Sequence, residues 1–204
     1  MLKTTSSVFL ICFSLLYSIA HAQVSSIQNI QARKIQSLNG KWNYIIDPYE
    51  NGFYDYRHEP FDQSKSGSGG FYDDRAQKNK TELIEYNFDL SPQINVPGDW
   101  NSQSEKLELY EGNVWLRKKF DAKPEQGKKY FVYFGAVNYE AHVYLNGKKL
   151  GVHKGGFTPF QFDVTNNLKA GENSLVLKTM SKVLNFVFRK FLKLDAKDIS
   201  TNFK

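Results

Sequence analysis

The chain has 204 residues, a formal net charge of +6 and one cysteine. The charge is concentrated at one end, because residues 178–204 hold seven basic and two acidic side chains, whereas residues 8–177 hold 19 of each. A balanced body offers no basic face for nucleic acid. Cys12 lies in the N-terminal apolar run, so the rest of the chain has no thiol for a disulfide or a thiolate metal site.

Residues 1–22 have the features of a secretory signal peptide. Lys3 precedes an apolar run at 8–20, and Ala20-His21-Ala22 is a small-x-small cleavage site. A run of this length is too short to cross a membrane. We therefore expect a secreted or periplasmic protein with no membrane span. Residues 23–36 are polar and are expected to form a loose or partly helical leader.

The first strand signal lies at 41–46, where apolar and polar side chains mostly alternate, and Asp47-Pro48 ends it. Residues 57–92 contain a Ser/Gly run and many charges, and they are predicted to be a surface insertion with a short helix near 81–86. Within it, Asp73-Asp74 are expected to be solvated. The aromatic side chains in and just before the insertion are Phe53, Tyr54, Tyr56, Phe61, Phe71 and Tyr72. They could stack on sugars, but we favour packing against the core, since aromatic rings bury large areas.

Short strands separated by Gly and Asn turns are predicted from residue 113 onward. Alternation recurs at 114–120 and 141–145, a near-continuous apolar run fills 128–137, and further strands are indicated around 157–164 and 175–177. Asn146-Gly147 predicts a hairpin, because a type I′ turn needs positive φ at both central residues. Without a long helical pattern, this spacing predicts an all-β antiparallel sandwich or barrel.

Few residues point to chemistry. The sequence contains no phosphate loop, metal-ligand spacing or nucleophile elbow, so no cofactor or metal is predicted. Acid–base hydrolysis by a pair of carboxylates needs them about 5–10 Å apart, and the pattern singles out no such pair, so no catalytic residue is predicted. His142 lies in a predicted strand and is expected to be structural.

One motif suits a small polar ligand, and it reads Val96-Pro97-Gly98-Asp99-Trp100-Asn101. Pro97 and Gly98 favour a turn that places Asp99 at its tip, beside a large ring. A carboxylate there can accept hydrogen bonds from two sugar hydroxyls while the ring covers an apolar face of the sugar. Asp99, Trp100 and Asn101 are therefore predicted to bind substrate. The alternative is a structural Asx-turn beside Trp100.

The segments LNGKW at 38–42, NVPGDWN at 95–101 and the whole of 135–178 together resemble the N-terminal sugar-binding domain of glycoside hydrolase family 2. That family includes β-galactosidases and β-glucuronidases. The resemblance implies a jelly-roll β-sandwich of the galactose-binding type over residues 37–178, with His153 in a framework motif. It also implies that Asp99 contacts substrate hydroxyls in the active site of a neighbouring barrel, without acting as acid or nucleophile. The parent enzyme would be a retaining, homo-oligomeric β-glycosidase whose carbohydrate partner is a terminal β-galactoside or β-glucuronide.

The family pattern stops after Lys178. A catalytic barrel alone needs about 250 residues, so we expect this chain to be the sugar-binding domain of a secreted β-glycosidase and to be inactive alone. A free-standing carbohydrate-binding module and a purely structural sandwich are the alternatives. For residues 179–204 we favour out-of-frame or truncated translation. The competing hypothesis is a basic amphipathic helix with Leu184, Phe188 and Phe191 on one face.

Overall fold

The structure, a computed structural model, describes residues 32–65, 69–75, 79, 81, 86–181 and 192–197. The strands are β1 Lys34–Ser37, β2 Gly40–Asp47, β3 Gln93–Val96, β4 Gly112–Ala122, β5 Lys129–Phe134, β6 Glu140–Leu145, β7 Lys148–Lys154, β8 Phe160–Asp163, β9 Gly171–Ser181 and β10 Leu192–Lys197. One-turn 3₁₀ helices lie at Phe61–Gln63, Phe71–Asp73, Phe88–Leu90 and Glu105–Leu107. The predicted signal peptide, most of the predicted leader, the centre of the predicted 81–86 helix and the predicted helical face of the tail lie outside the described residues.

The strands form two antiparallel sheets. The smaller sheet has the order β1-β10-β5-β8, and the larger has the order β3-β2-β4-β9-β6-β7. At the centre of the larger sheet, β4 and β9 pair from Gly112 opposite Ser181 to Ala122 opposite Gly171. The prediction of an all-β antiparallel sandwich is confirmed.

The predicted hairpin connects β6 and β7 at Asn146-Gly147. The φ angles of these residues are 52° and 78°, as a type I′ turn requires. The Asn146 side chain also holds neighbouring segments, because its Nδ2 donates to the Asn167 carbonyl at 2.8 Å and its Oδ1 accepts from the Ser174 N–H at 3.0 Å. Asparagine visits the left-handed region more readily than most residues, since its short side chain can bond locally.

The main core lies between the two sheets. Alternate side chains of β2, β4, β6 and β9 point inward, and they are joined by side chains from the smaller sheet and from the 97–111 connection. Its fully buried members include Leu38, Trp42, Leu107, Val114, Leu116, Val132, Ala141, Val143, Leu145, Val164, Leu175 and Leu177. Burying one large apolar side chain contributes about 1.5–3 kcal/mol, so this layer supplies most of the driving force for folding.

A second apolar cluster lies on the opposite face of the larger sheet, beneath the predicted insertion. There Trp115 and Tyr144 are fully buried, together with Phe53 and Tyr72 from the segment that crosses above them. The rings of Tyr72 and Tyr144 stack at 4.4 Å between centroids. The packing interpretation of the aromatic residues is therefore confirmed for this cluster, whereas Tyr56 is 88% exposed.

Two ion pairs of the buried Arg117 guanidinium add to the attachment of the insertion. Arg117 Nη1 lies 2.7 Å from Asp74 Oδ1, and its Nη2 lies 2.6 Å from Asp89 Oδ1. Asp74 also accepts a 2.6 Å hydrogen bond from the Ser174 hydroxyl. The expectation that Asp74 is solvated was wrong, because this carboxylate is needed to pair with the nearly inaccessible guanidinium of Arg117. Breaking such a pair costs several kcal/mol, about 3–5 in buried sites.

Four segments of strand were not predicted, and one of them is the edge strand β3, Gln93–Val96. Lys34–Ser37 forms the edge strand β1, although it lies in a segment expected to be loose or helical, and β9 continues beyond Lys178 to Ser181. Residues 192–197 form β10 between β1 and β5, within a segment expected to be a tail. The out-of-frame hypothesis for 179–204 concerns the coding sequence and stays a prediction.

Candidate functional site

The predicted turn follows the edge strand β3. This strand pairs with β2 from Gln93 opposite Asn43 to Val96 opposite Gly40. The chain then passes through a cis Val96-Pro97 peptide bond and reaches Asp99. The following connection, 100–111, packs against the core through Leu107, which is fully buried. Asp99 is thus placed between a paired strand and a buried segment, at a partly exposed position.

The structure gives Trp100 and Asn101 anchoring contacts. Trp100 is only 5% exposed and belongs to the main core. The side-chain nitrogen of Asn101 donates to the carbonyl groups of Leu107 and Glu108, at 2.5 and 3.0 Å. The ring and the amide therefore hold the C-terminal side of the turn against the domain. Direct contact of either side chain with a sugar stays a prediction.

Asp99 has the geometry of an Asx-turn. Its Oδ1 accepts a hydrogen bond from the backbone N–H of Asn101 at 3.2 Å. This contact matches the structural alternative, but it does not exhaust the side chain, because an ionised carboxylate offers about four lone-pair positions. A partly exposed carboxylate with spare acceptor positions can still accept hydrogen bonds from hydroxyl groups.

Gln103 is part of the same turn and was not singled out from the sequence. Its Oε1 accepts from the N–H of Asn95 at 2.7 Å, and its Nε2 donates to the carbonyl groups of Asn95 and Asp99, each at 3.0 Å. The amide lies against Gly98, where a Cβ atom would come within 2.5 Å of Nε2. No local pattern marks these contacts, since the side chain reaches back eight residues to an edge strand.

A second polar cluster lies on the outer face of the larger sheet. Lys178 is 3% exposed, and its Nζ is 4.2 Å from the ring centroid of Phe53. Burial lowers the pKa of the Lys178 ammonium group, and surrounding carboxylates, with Glu50 first, oppose this shift. Asp47 accepts from the Trp115 indole N–H at 2.8 Å and from the Gly52 N–H at 3.0 Å. These charged groups fasten the segment just before the insertion to the sheet.

The two strand histidines make structural contacts, as expected. Nε2 of His142 is 2.7 Å from Glu140 Oε1. Burial lowers the pKa of His142, and the hydrogen bond with Glu140 opposes that shift. The ring of His153 stacks on Phe160 at 4.1 Å, and its Nε2 is 3.0 Å from the Thr158 hydroxyl oxygen.

Two negative findings concern the residues that the structure describes. In that part of the chain, no three His, Cys, Asp or Glu side chains are grouped so that they could hold a metal ion. No helix there is long and apolar enough to cross a membrane.

The family comparison agrees with the sequence motifs. A family model described as "Glycosyl hydrolases family 2, sugar binding domain" matches residues 35–193, so the match continues past Lys178, where the sequence motifs end. A β-glucuronidase of Formosa agariphila is 46% identical over 68 residues, which cover 33% of this chain and 7% of that protein. A β-glucuronidase of Paenibacillus borealis is 26% identical over 158 residues, which cover 76% of this chain and 22% of that protein.

Solved structures give a consistent likeness. A β-glucuronidase from an uncultured Clostridium species superposes with a TM-score of 0.55 at 28% identity, over 80% of this chain and 24% of that chain. Bifidobacterium dentium β-glucuronidase in complex with coumarin-3-O-glucuronide gives 0.53 at 30% identity, over 75% and 21%. The chain therefore spans less than a quarter of the length of these relatives.

Proposed function

The chain belongs to glycoside hydrolase family 2, in which it corresponds to the sugar-binding domain, and from this premise we propose that Asp99 contacts the terminal sugar of a β-linked glycoside. The sugar is a β-glucuronide or a β-galactoside, because the relatives bear the names of enzymes for these two substrates. Residues 1–22 have the features of a secretion signal, which favours a secreted or periplasmic location.

The position of the Asp99 carboxylate supports this proposal most strongly. The backbone N–H of Asn101 donates a hydrogen bond to Asp99 Oδ1 at 3.2 Å, so acceptor positions of the carboxylate remain for two adjacent hydroxyl groups. The buried Trp100 ring and the twice-bonded Asn101 amide fix the turn before any ligand arrives. A preorganised carboxylate loses less entropy on binding than a mobile one.

In this proposal the chain binds sugar, and hydrolysis takes place on a different domain of the parent glycosidase. A retaining mechanism needs an acid and a nucleophile about 5–5.5 Å apart. In the described residues, the carboxylates of Asp47, Asp62 and Asp74 accept hydrogen bonds from Trp115, Tyr144 and Ser174, which gives each a structural role. In the proposal Asp99 serves recognition, and we assign no acid or nucleophile to this chain.

Titration of the ¹⁵N-labelled chain with methyl β-D-glucuronide and methyl β-D-galactoside tests the proposal. One of them should shift the backbone amides of residues 98–101 with a Kd of about 1 mM, which corresponds to about −4 kcal/mol. Methyl α-D-glucoside, which has the other anomeric configuration, is the control. Amides of the turn that stay unshifted at saturating concentrations of both β-glycosides would contradict the assignment.

A purely structural sandwich is the second candidate function. The Asx-turn hydrogen bond at Asp99 and the burial of Trp100 favour it, because both contacts would be present without any ligand. The two candidates differ in the effect of Asp99 variants on affinity and on stability.

A further inference from the structure

The side chain of Gln103 links the Asp99 turn to the larger sheet, and we propose that Gln103 is a positioning residue for the sugar contact of Asp99. This inference rests on the function proposed above. It concerns a residue that makes no contact with the sugar in the proposal and acts only through the backbone of Asp99.

The geometry of the amide supports this role. Asn95 lies on β3, which is an edge strand of the larger sheet, and the Gln103 amide pairs with both its N–H and its C=O, at 2.7 and 3.0 Å. An edge strand exposes such groups, and the amide satisfies them as a neighbouring strand would. The remaining donor of the same amide reaches the Asp99 carbonyl at 3.0 Å. One planar group therefore joins the sheet to the residue that carries the carboxylate.

Gly98 provides a second, independent observation. A Cβ atom at this position would lie 2.5 Å from Gln103 Nε2 and 2.7 Å from the carbonyl oxygen of Asn95. Any side chain here would displace the amide from its partners. The absence of a side chain at residue 98 is thus what allows Gln103 to pass beneath the turn.

The contacts of Gln103 differ from those of its neighbours in the turn. Asn101 binds the carbonyl groups of the following connection, and the Ser102 hydroxyl donates to the Asp99 carbonyl at 3.1 Å from within the turn. Neither of these bonds reaches the sheet. The Gln103 side chain bonds both β3 and Asp99, so its loss should release the tip of the turn while the sandwich stays folded.

The test compares Gln103→Met with Gln93→Met in the full chain. Methionine keeps the length of the side chain but cannot make the three hydrogen bonds. Gln93 is an exposed glutamine on β3, the strand that Gln103 contacts, with one long contact of 3.5 Å to Asn43, and it serves as the matched control. Affinity for methyl β-D-glucuronide and methyl β-D-galactoside and the ¹⁵N order parameters of residues 98–101 are measured at a temperature where circular dichroism shows every variant folded.

We expect Gln103→Met to raise the Kd about tenfold and to lower the order parameters of the turn, while Gln93→Met changes neither. Gly98→Ala should reproduce the effect of Gln103→Met, because its Cβ atom would displace both the same amide and the Asn95 carbonyl group that the amide bonds. A stabilising residue without a positioning role would lower the melting temperature and leave the affinity of the folded protein unchanged. Unaltered affinity in folded Gln103→Met therefore overturns the positioning role, whether or not the turn becomes mobile. If the unaltered chain binds neither sugar, the proposed function itself fails.

Discussion

Replacing Asp99 by Asn and by Ala separates recognition from turn formation. Asparagine keeps an oxygen that can accept the Asn101 N–H, now at 3.2 Å, but it removes the charge. Asp99→Asn should therefore leave the free energy of unfolding within about 0.5 kcal/mol of the original value, as for a surface substitution. Alanine removes the Asx-turn bond as well, which should cost about 0.5–1 kcal/mol, because this bond is long and only partly buried.

The effect on affinity should be larger than the effect on stability. A hydrogen bond to a charged group contributes about 1.5–3 kcal/mol and a neutral one about 0.5–1.5 kcal/mol. Asp99→Asn should thus weaken sugar binding by about 1–1.5 kcal/mol, or roughly tenfold in Kd. Asp99→Ala should weaken binding further. In a longer protein that contains the catalytic barrel, the same substitutions should lower kcat/KM by at least a similar factor.

Isothermal titration with the preferred β-glycoside and urea unfolding of the same two proteins provide the measurements. The reasoning would be refuted if Asp99→Ala lost more than about 1 kcal/mol of stability while both variants bound sugar as tightly as the original chain. That result would assign Asp99 to the turn alone.

Four further predictions follow from other parts of the molecule. The chain alone should not hydrolyse nitrophenyl β-galactoside or β-glucuronide. This prediction would be contradicted by turnover that exceeds the turnover of a mock-purified control and is abolished by substitution of one acidic residue of the chain. Asn146→Pro should lower the urea midpoint more than Asn146→Gly, since proline fixes φ near −65° where 52° is observed, and equal midpoints would argue against the hairpin turn. Asp47→Ala should lower the free energy of unfolding by about 2–4 kcal/mol, because it leaves the indole N–H of Trp115 and the backbone N–H of Gly52 without their acceptor. A loss below about 1 kcal/mol in urea unfolding would contradict this role of Asp47. Burial lowers the pKa of His142 in the folded protein, so the unfolded chain binds the proton more readily. The stabilisation by neutral His142 is therefore complete above its unfolded-state pKa of about 6.5 and is lost as the pH falls below that value. His142→Gln should flatten the decline in the free energy of unfolding between about pH 7 and 5.

Local patterns predicted the strands that carry strong alternation or a turn signal. The alternating segment of β2 and the Asn146-Gly147 hairpin could be read from neighbouring residues alone. The strand β1 could not, because the side chains of Lys34–Ser37 are mostly polar and exposed, and only pairing with distant β10 makes them a strand. In β10, apolar residues occupy positions 192, 194 and 196, which is the period-2 pattern of a strand. The helical hypothesis for the tail depended instead on the apolar residues at 184, 188 and 191, which precede β10.

The turn was predicted in position, and its Asx-turn hydrogen bond was one of two predicted alternatives, but the other side-chain contacts of the turn were not predicted. The sequence indicated a turn at 97–99 with an acidic tip. It did not indicate that the ring of Trp100 is directed into the core, because the spacing of residues within one turn does not determine which side of it faces the sheets. The contribution of Gln103 depends on a contact with Asn95 across the turn, for which short-range patterns give no signal.

A crystal structure of the chain with its preferred methyl β-glycoside bound tests the central claim most directly. We expect two adjacent sugar hydroxyls to donate to the Asp99 carboxylate at about 2.5–3.0 Å, with Trp100 still buried and Gln103 still bonded to Asn95. An ordered sugar elsewhere on the sandwich, with the Asp99 carboxylate bonded only to the Asn101 N–H, would contradict the claim that this turn recognises the sugar.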